Sequence, residues 1–307
     1  MKGRPRGRGS GASTTGGDPG YFGPGSVSWH VHREAAVMLG GARALLMHAA
    51  HPLVVAGARQ TQMYTRDPWA RLERTLRLNY MVTFGTRSQA DSTARHVNAV
   101  HADIHGVDSV TGRPYDALDP DLLLWVHACL VDTALLLERL VVGDLDPSGR
   151  QRFYEESMVQ AELLALPRSA LPPTVEELRD YIAGVISSGV LRRTDGSEAV
   201  GALIKDPPPE TPQRRLWRLI SFWSFGLLPD QIRGDVYSVA WNQAQELALR
   251  SSLRAARYLR PLAPGSLRFI PPARAAARRA AGEGYEELPE TLLPKGLHLP
   301  PDSRGKA

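Results

Sequence analysis

Cysteine is nearly missing from this 307-residue chain. Cys129 is the only one, which excludes a disulfide framework and any metal centre built on thiolates. Long apolar runs are missing as well, since no window reaches the ~18 to 20 uninterrupted apolar residues a membrane span needs. The longest candidate, 122–142, is broken by His127, Asp132, Glu138 and Arg139, so no integral membrane span is expected. The first twenty residues are rich in Gly, Arg and Ser and hold no apolar core of the kind a secretory signal carries, so the expected location is the cytoplasm. Alternating β-branched runs with hairpin turns are nearly absent, and nothing repeats at a fixed period. Lysine is scarce, so the net charge of +5 is mainly arginine, partly in the tails at Arg4, Arg6 and Arg8 and again at Arg274, Arg278 and Arg279. A basic balance permits contact with anionic lipid or nucleic acid. No aromatic-interleaved basic strand or recognition-helix motif accompanies it, so no nucleic-acid partner is expected. A peripheral membrane contact, a redox partner and the oligomeric state are left open.

What is present is helical punctuation. Hydrophobic residues make up 43% of the chain, enough for a sizeable core. The stretch 29–50 is rich in Ala, Leu and Met, and Pro52 marks a break near its end. Asp67-Pro68 opens a helix, and Ser88-Gln89-Ala90-Asp91 resembles a capping box for a helix running to Gly106. Asp119-Pro120 opens a long helix to Val142, and the turn Asp146-Pro147-Ser148-Gly149 precedes another through Phe153. Thr174 with Glu177 caps a helix through Ile186. Further helices are expected over 213–225, over 229–260 with a break near Gly234, and over 272–281. The expected fold is all-α, a single globular helical domain over 26–282. A Gly/Arg-rich disordered tail is expected over 1–25 and a Pro-rich tail over 283–307.

The chemistry concentrates in the first half. On a helix Arg71, Arg74 and Thr75 fall at i, i+3 and i+4, so two guanidinium groups and a hydroxyl share a face. His105 follows thirty residues after Thr75, just before Gly106. Eight of the nine histidines lie before residue 130: His30, His32, His48, His51, His96, His101, His105 and His127. His101 and His105 share a helix face at i, i+4, but the glutamate of a zincin motif is missing between them. A di-iron carboxylate site would need Glu-x-x-His pairs, which are not found. A haem needs only one axial imidazole from an apolar surround and a polar group on the other side, demands that His105 and the Arg71–Thr75 cluster can meet. The competing reading of the arginines is a solvated face shared with Glu73 and Asp67. His127, on an apolar helix, is either a satisfied core residue or a pocket liner, and His51, before Pro52, can sit at a cavity mouth. Tyr154 with Glu155 or Glu156 is a candidate for pocket support.

These residues stand in an order that resembles the catalytic domain shared by rubber oxygenase (latex-clearing protein) and the fungal mycophenolic-acid-pathway oxygenase. The pieces are His48-x-x-His51-Pro52, Arg71-x-x-Arg74-Thr75, Phe84-Gly85, His101-x-x-x-His105-Gly106, Tyr115-Asp116-Ala117, Trp125-Val126-His127-Ala128, Tyr154-x-Glu156 and Leu228-Pro229. The resemblance runs over about 31–280. It implies a globin-reminiscent all-α fold, a b-type haem with its iron, and dioxygen used to oxidise or cleave a small apolar, isoprenoid-like or alkene substrate. It implies His105 as the axial ligand and only metal-bound residue and Arg71 and Thr75 as the distal polar groups; Arg74 and His51 join these as candidate catalytic residues, and His101 and His127 are further candidates for cofactor binding. Arg74 stands where rubber oxygenase has a lysine, and a guanidinium stays protonated and does not ligate iron. The alternatives are a haem-binding helical module without turnover and a non-haem enzyme with a histidine-ligated metal.

Overall fold

The computed structural model describes residues 18–60, 68–207, 214–284 and 286–288, with side chains described from Thr75 onward in the helix that opens at Pro68. The fold is all-α, as the patterning implies, with one two-stranded hairpin among the described residues. The chain opens with α1 (Val27–His32), the short α2 (Ala35–Met38), α3 (Gly41–Ala50) and α4 (Pro52–Gln60). His51 divides α3 from α4 with an extended backbone, ψ 118°, because the proline after it disfavours helical geometry. Next come α5 (Pro68–Phe84) and α6 (Arg87–Ala102), packed as an antiparallel pair, then α7 (Pro120–Leu137) and α8 (Pro147–Leu163). The second half contains α9 (Val175–Ser187), α10 (Asp195–Lys205), α11 (Arg214–Gly226), α12 (Gln243–Leu259), α13 (Gly265–Arg268) and α14 (Pro271–Ala280).

Central to the packing are α3 and α7. Nine of the ten residues of α3 are buried, and it packs against α7, α10 and α11. Trp125 of α7 donates its indole N–H to the Met47 carbonyl at 3.3 Å. Arg43 crosses from α3 to Asp132 at 2.8 Å and Thr133 at 2.5 Å, and reaches the Leu227 carbonyl at 2.8 Å. Each leucine buried in α7 contributes roughly 1.5–3 kcal/mol of transfer free energy, which explains why so apolar a helix becomes the core. By length and composition the segment Pro120–Val142 would suffice to cross a membrane, yet 67% of its most apolar window is buried inside the fold.

Most caps follow the sequence. Asp119 accepts from the Asp121 N–H at 2.9 Å, Asp146 from Gly149 at 2.6 Å, and Thr174 from Glu177 at 3.2 Å. The capping box of α6 lies two residues earlier than expected, between Thr86 and Gln89. Glu156, expected near a pocket, instead accepts from the Val27 and Ser28 N–H groups at 3.1 and 2.6 Å and caps α1 from α8. Over 229–260 a π-helical turn at Ile232–Val236 ends before the Asn242 cap that starts α12, so the helix does not continue through.

The helix expected to reach Gly106 stops at Ala102. The Asp103 and Ile104 N–H groups turn back to Val100 and His101, and the chain enters β1 (His105–Val107). This pairs antiparallel with β2 (Pro114–Asp116), with His105 opposite Asp116 and Gly106 opposite Tyr115. Gly106 lets the Tyr115 ring lie close, since a Cβ would meet its phenol oxygen at 2.9 Å and the ring would have to shift. The ordered fold also extends beyond 26–282 at both ends. Phe22 is buried against Val82 and Ala90, Tyr21 donates to Asp91 at 2.6 Å, and Leu288 is 3% exposed in a cluster with Trp29, Tyr80, Met81 and Phe84.

Candidate active site

A cavity of about 920 Å³ lies between α3, α4, α5, α6, α7 and α8. Its size falls within the range of small-molecule and cofactor sites. The inner face of α6 forms one full wall: Ser88, Gln89, Ser92, Thr93, His96, Val97, Val100 and His101 all line it. Their spacing of one, three and four is that of a single helical stripe. Opposite are Leu122, Leu123, Val126, His127 and Leu130 of α7, with Leu53, Val54, Gly57 and Ala58 of α4 at one end. Thr75, Leu78 and Met81 of α5 complete the interior, while Ser88, Ser92, His96 and Arg77 form a more exposed polar side. Glu287 and Leu288 come back to the cavity edge. There the Gln89 amide donates to the Leu288 carbonyl at 2.9 Å and accepts its N–H at 3.1 Å.

Two buried imidazoles in this wall have defined partners. His48 Nε2 meets the Val126 carbonyl at 3.0 Å, and since a carbonyl only accepts, Nε2 is the protonated nitrogen. His127 Nε2 lies 3.4 Å from the Ser157 hydroxyl. That hydroxyl donates to the Tyr154 carbonyl at 2.6 Å, so it is left to accept from His127. Burial pushes the His127 pKa down to about 4, so the ring is neutral at physiological pH. Tyr154, itself buried, donates to the Pro172 carbonyl at 2.7 Å and holds the α8–α9 connection instead of facing the cavity. Behind His48, Thr75 and Leu130 lies a second cavity of about 50 Å³, which His32 and Asn79 also border.

The structure brings together part of the set named from the sequence. Thr75, His101 and His127 line the large cavity. His105 does not: it sits in β1 with its side chain exposed, because the helix that was to carry it ends three residues earlier. His101, one helical turn before it, is on the cavity wall, as are His48, His96 and His127. His51 is buried between α3 and α4 and does not reach the cavity. Burial is the main cause holding its pKa down to about 4, with a further push from Arg113. The side chains of Arg71 and Arg74 lie outside the described residues. His48, His96, Tyr115 and the α6 polar stripe were not singled out as site residues from the sequence. The i, i+4, i+8 spacing of Ser88, Ser92 and His96 is a signal for the stripe alone, and by itself it reads as a solvated helix face.

The residues present suit a haem. The cavity is large and mainly apolar, and it is bordered by imidazoles, that of His127 neutral, and by a polar side able to meet anionic carboxylates. Among the described residues no group of three or more His, Cys, Asp or Glu is placed to hold a bare metal ion. The buried Cys129 thiol is raised well above its usual pKa by burial and faces the core as an inert group.

The family described as ER-bound oxygenase mpaB/B′/rubber oxygenase, catalytic domain, matches residues 29–258, well over half of the chain. No curated protein and no solved structure gives a significant match.

Proposed function

The chain belongs to the ER-bound oxygenase mpaB/B′ and rubber oxygenase catalytic-domain family, and on that premise we propose that its cavity holds a b-type haem and oxidises a small apolar substrate with dioxygen. What carries the reading is the co-location of Thr75, His101 and His127 on one apolar cavity of about 920 Å³, within a chain of an oxygenase family. A bound haem would supply a redox-active iron for the reaction with dioxygen.

The chain's own residues have distinct tasks in this proposal. His101, on the cavity wall, would hold the haem iron, whereas His105, to which the family spacing points, is exposed. His127 and His48 each commit the Nε2 proton to a protein acceptor, and burial keeps the His127 ring neutral. Thr75 offers a hydroxyl inside the cavity. Arg71 and Arg74 precede it by four residues and one residue on α5, and they keep the role the family pattern gives them, cationic donors that stay protonated. Leu122, Leu123, Val126 and Leu130 exclude water and select an apolar, alkene or isoprenoid-like molecule.

Absorbance tests the first half of this reading. Protein expressed in haem-replete cells should show a Soret band and yield haem b on acid-acetone extraction, and protein without either would overturn it. Oxygen uptake with a panel of alkenes tests the second half. Haem-loaded protein that consumed no oxygen with any of them would be a binding module.

A further inference from the structure

We propose that the corner formed by the end of α12 and by α13 is a docking surface for an anionic lipid bilayer. Four large apolar side chains lie open to solvent within ten residues: Tyr258 is 78% exposed, Leu259 62%, Leu262 79% and Leu267 72%. Scattered single exposed leucines are ordinary, but a cluster marks an interaction surface. The cluster continues along α12, where Leu247 (67% exposed), Ser251, Arg254 and Tyr258 follow one another at helical spacing on the face opposite the buried Leu249 and Leu253. Pro261 and Pro264, both exposed, break the chain into short turns that lift Leu262 and Leu267 off the body.

Charge identifies the partner. Between Glu246 and Glu283 there is no acidic residue, while eight arginines occur. Arg260 and Arg268 share the buried Glu34, Arg260 also pairs with Asp144 at 2.7 Å, Arg250 pairs with Glu246, and Arg279 is turned inward to the Asp18 and Phe84 carbonyls. Arg257 donates to the Arg139 carbonyl, which leaves its charge uncompensated. Arg254, Arg274 and Arg278 are exposed, with no ion pair among the described residues. An apolar tip with a tyrosine at its edge, between two helices that carry exposed cations without ion pairs, is the pattern of a peripheral membrane surface. Nucleic acid would use the cations but gain nothing from the exposed leucines, whereas the acyl–headgroup boundary takes both. The cluster begins where the family match ends, at residue 258, and stands independently of the haem reading.

The test is flotation of the full chain with vesicles of phosphatidylcholine alone and of phosphatidylcholine with 30% phosphatidylglycerol. Binding to the anionic vesicles only, weakening with salt, is expected. A Leu262→Asp/Leu267→Asp variant should bind at least about tenfold more weakly, and each of Arg254→Ser, Arg274→Ser and Arg278→Ser about fivefold more weakly. Because these side chains are exposed, thermal melts of the variants should match the parent. No binding to anionic vesicles, or equal binding by the leucine variant, would overturn the proposal. So would a dimer that the leucine variant splits without any vesicle binding, which would make this face a contact between two copies of the chain.

Discussion

His101 and His105 are four residues apart and have opposite surroundings: His101 lines the apolar cavity from the last turn of α6, and His105 is exposed in strand β1 opposite Asp116. On an uninterrupted helix the two would share a face. The turn at Asp103 and Ile104 separates them.

This separation makes a paired test of the axial assignment. His101→Ala protein should lose the Soret band or bind haem at least tenfold more weakly, while His105→Ala protein loads haem like the parent. The His105 change alters only an exposed ring, so its melting point should move by less than about 0.5 kcal/mol equivalent. If His105→Ala abolished loading and His101→Ala did not, the family spacing would prevail over the cavity geometry.

The helical class and most helix starts were legible because they rest on local chemistry. Asp119-Pro120, Asp146-Pro147 and Thr174-x-x-Glu177 each satisfy backbone N–H groups wherever the rest of the chain goes. The end of α6 was not legible. His101-Ala-Asp-Ile-His105-Gly106 continues a helical pattern, and what stops it is distant: the hairpin pairing to 114–116 and the fit of Tyr115 over Gly106. The early end of α6 separates the family spacing, which points to His105, from the cavity wall, which carries His101. The α6 stripe was hidden for another reason, since Ser88, Ser92 and His96 look like an ordinary solvated face until α4, α7 and α8 enclose the space in front of them.

Gly106→Ala tests that fit directly. The new methyl would stand 2.9 Å from the Tyr115 phenol oxygen and 3.1 Å from its ring, so the ring must move. Tyr115 lines the cavity and donates to Gln60 at 3.2 Å, so the disturbance reaches the site. A loss of about 1–3 kcal/mol in urea denaturation is expected, together with weaker haem or ligand binding. An unchanged midpoint would mean that the hairpin yields freely.

Acid should destabilise the fold in two windows. The buried His51 and His127 are held at about 4 in the folded protein against 6.5 for the free side chain. Between those values the unfolded chain binds more protons, so stability is full above pH 6.5 and falls as pH drops toward 4. Each contributes up to about 3 kcal/mol by pH 4. Thermal melts across pH 4–7.5 should show this slope, and His51→Leu should flatten its share.

Glu34 governs the lower window. It is 1% exposed; burial alone would raise its pKa, but hydrogen bonds and charge from Arg260 and Arg268 hold it below the usual value. A depressed carboxyl stabilises above its unfolded pKa of about 4.5, and that stability is lost as pH falls through the folded value. At neutral pH Glu34→Gln leaves Arg268 without a carboxylate and Arg260 with Asp144 alone, around a neutral amide in a largely buried setting, at a cost of about 3 kcal/mol. Denaturation at pH 7 and pH 3 checks this, because the two proteins should differ strongly at pH 7 and much less at pH 3.

Gln89 links the cavity to the C-terminal segment. Its side chain brackets the Leu288 backbone through both the carbonyl and the N–H, while its oxygen also accepts from the Thr86 N–H at 3.2 Å in the α6 capping box. Leu288 lines the cavity and is buried against Trp29, Tyr80, Met81 and Phe84. Gln89→Ala removes half of the capping box, at about 1 kcal/mol, and with it the bonds that hold Leu288. Gln89→Glu keeps the acceptor for the Leu288 and Thr86 N–H groups but removes the donor to the Leu288 carbonyl. Limited proteolysis should therefore cut near residues 286–288 fastest in the alanine variant, at an intermediate rate in the glutamate variant and slowest in the parent. Faster entry of an apolar fluorescent probe into the cavity should follow the same order. Equal cleavage in all three would mean that the burial of Leu288, and not the Gln89 bracket, holds the segment in place.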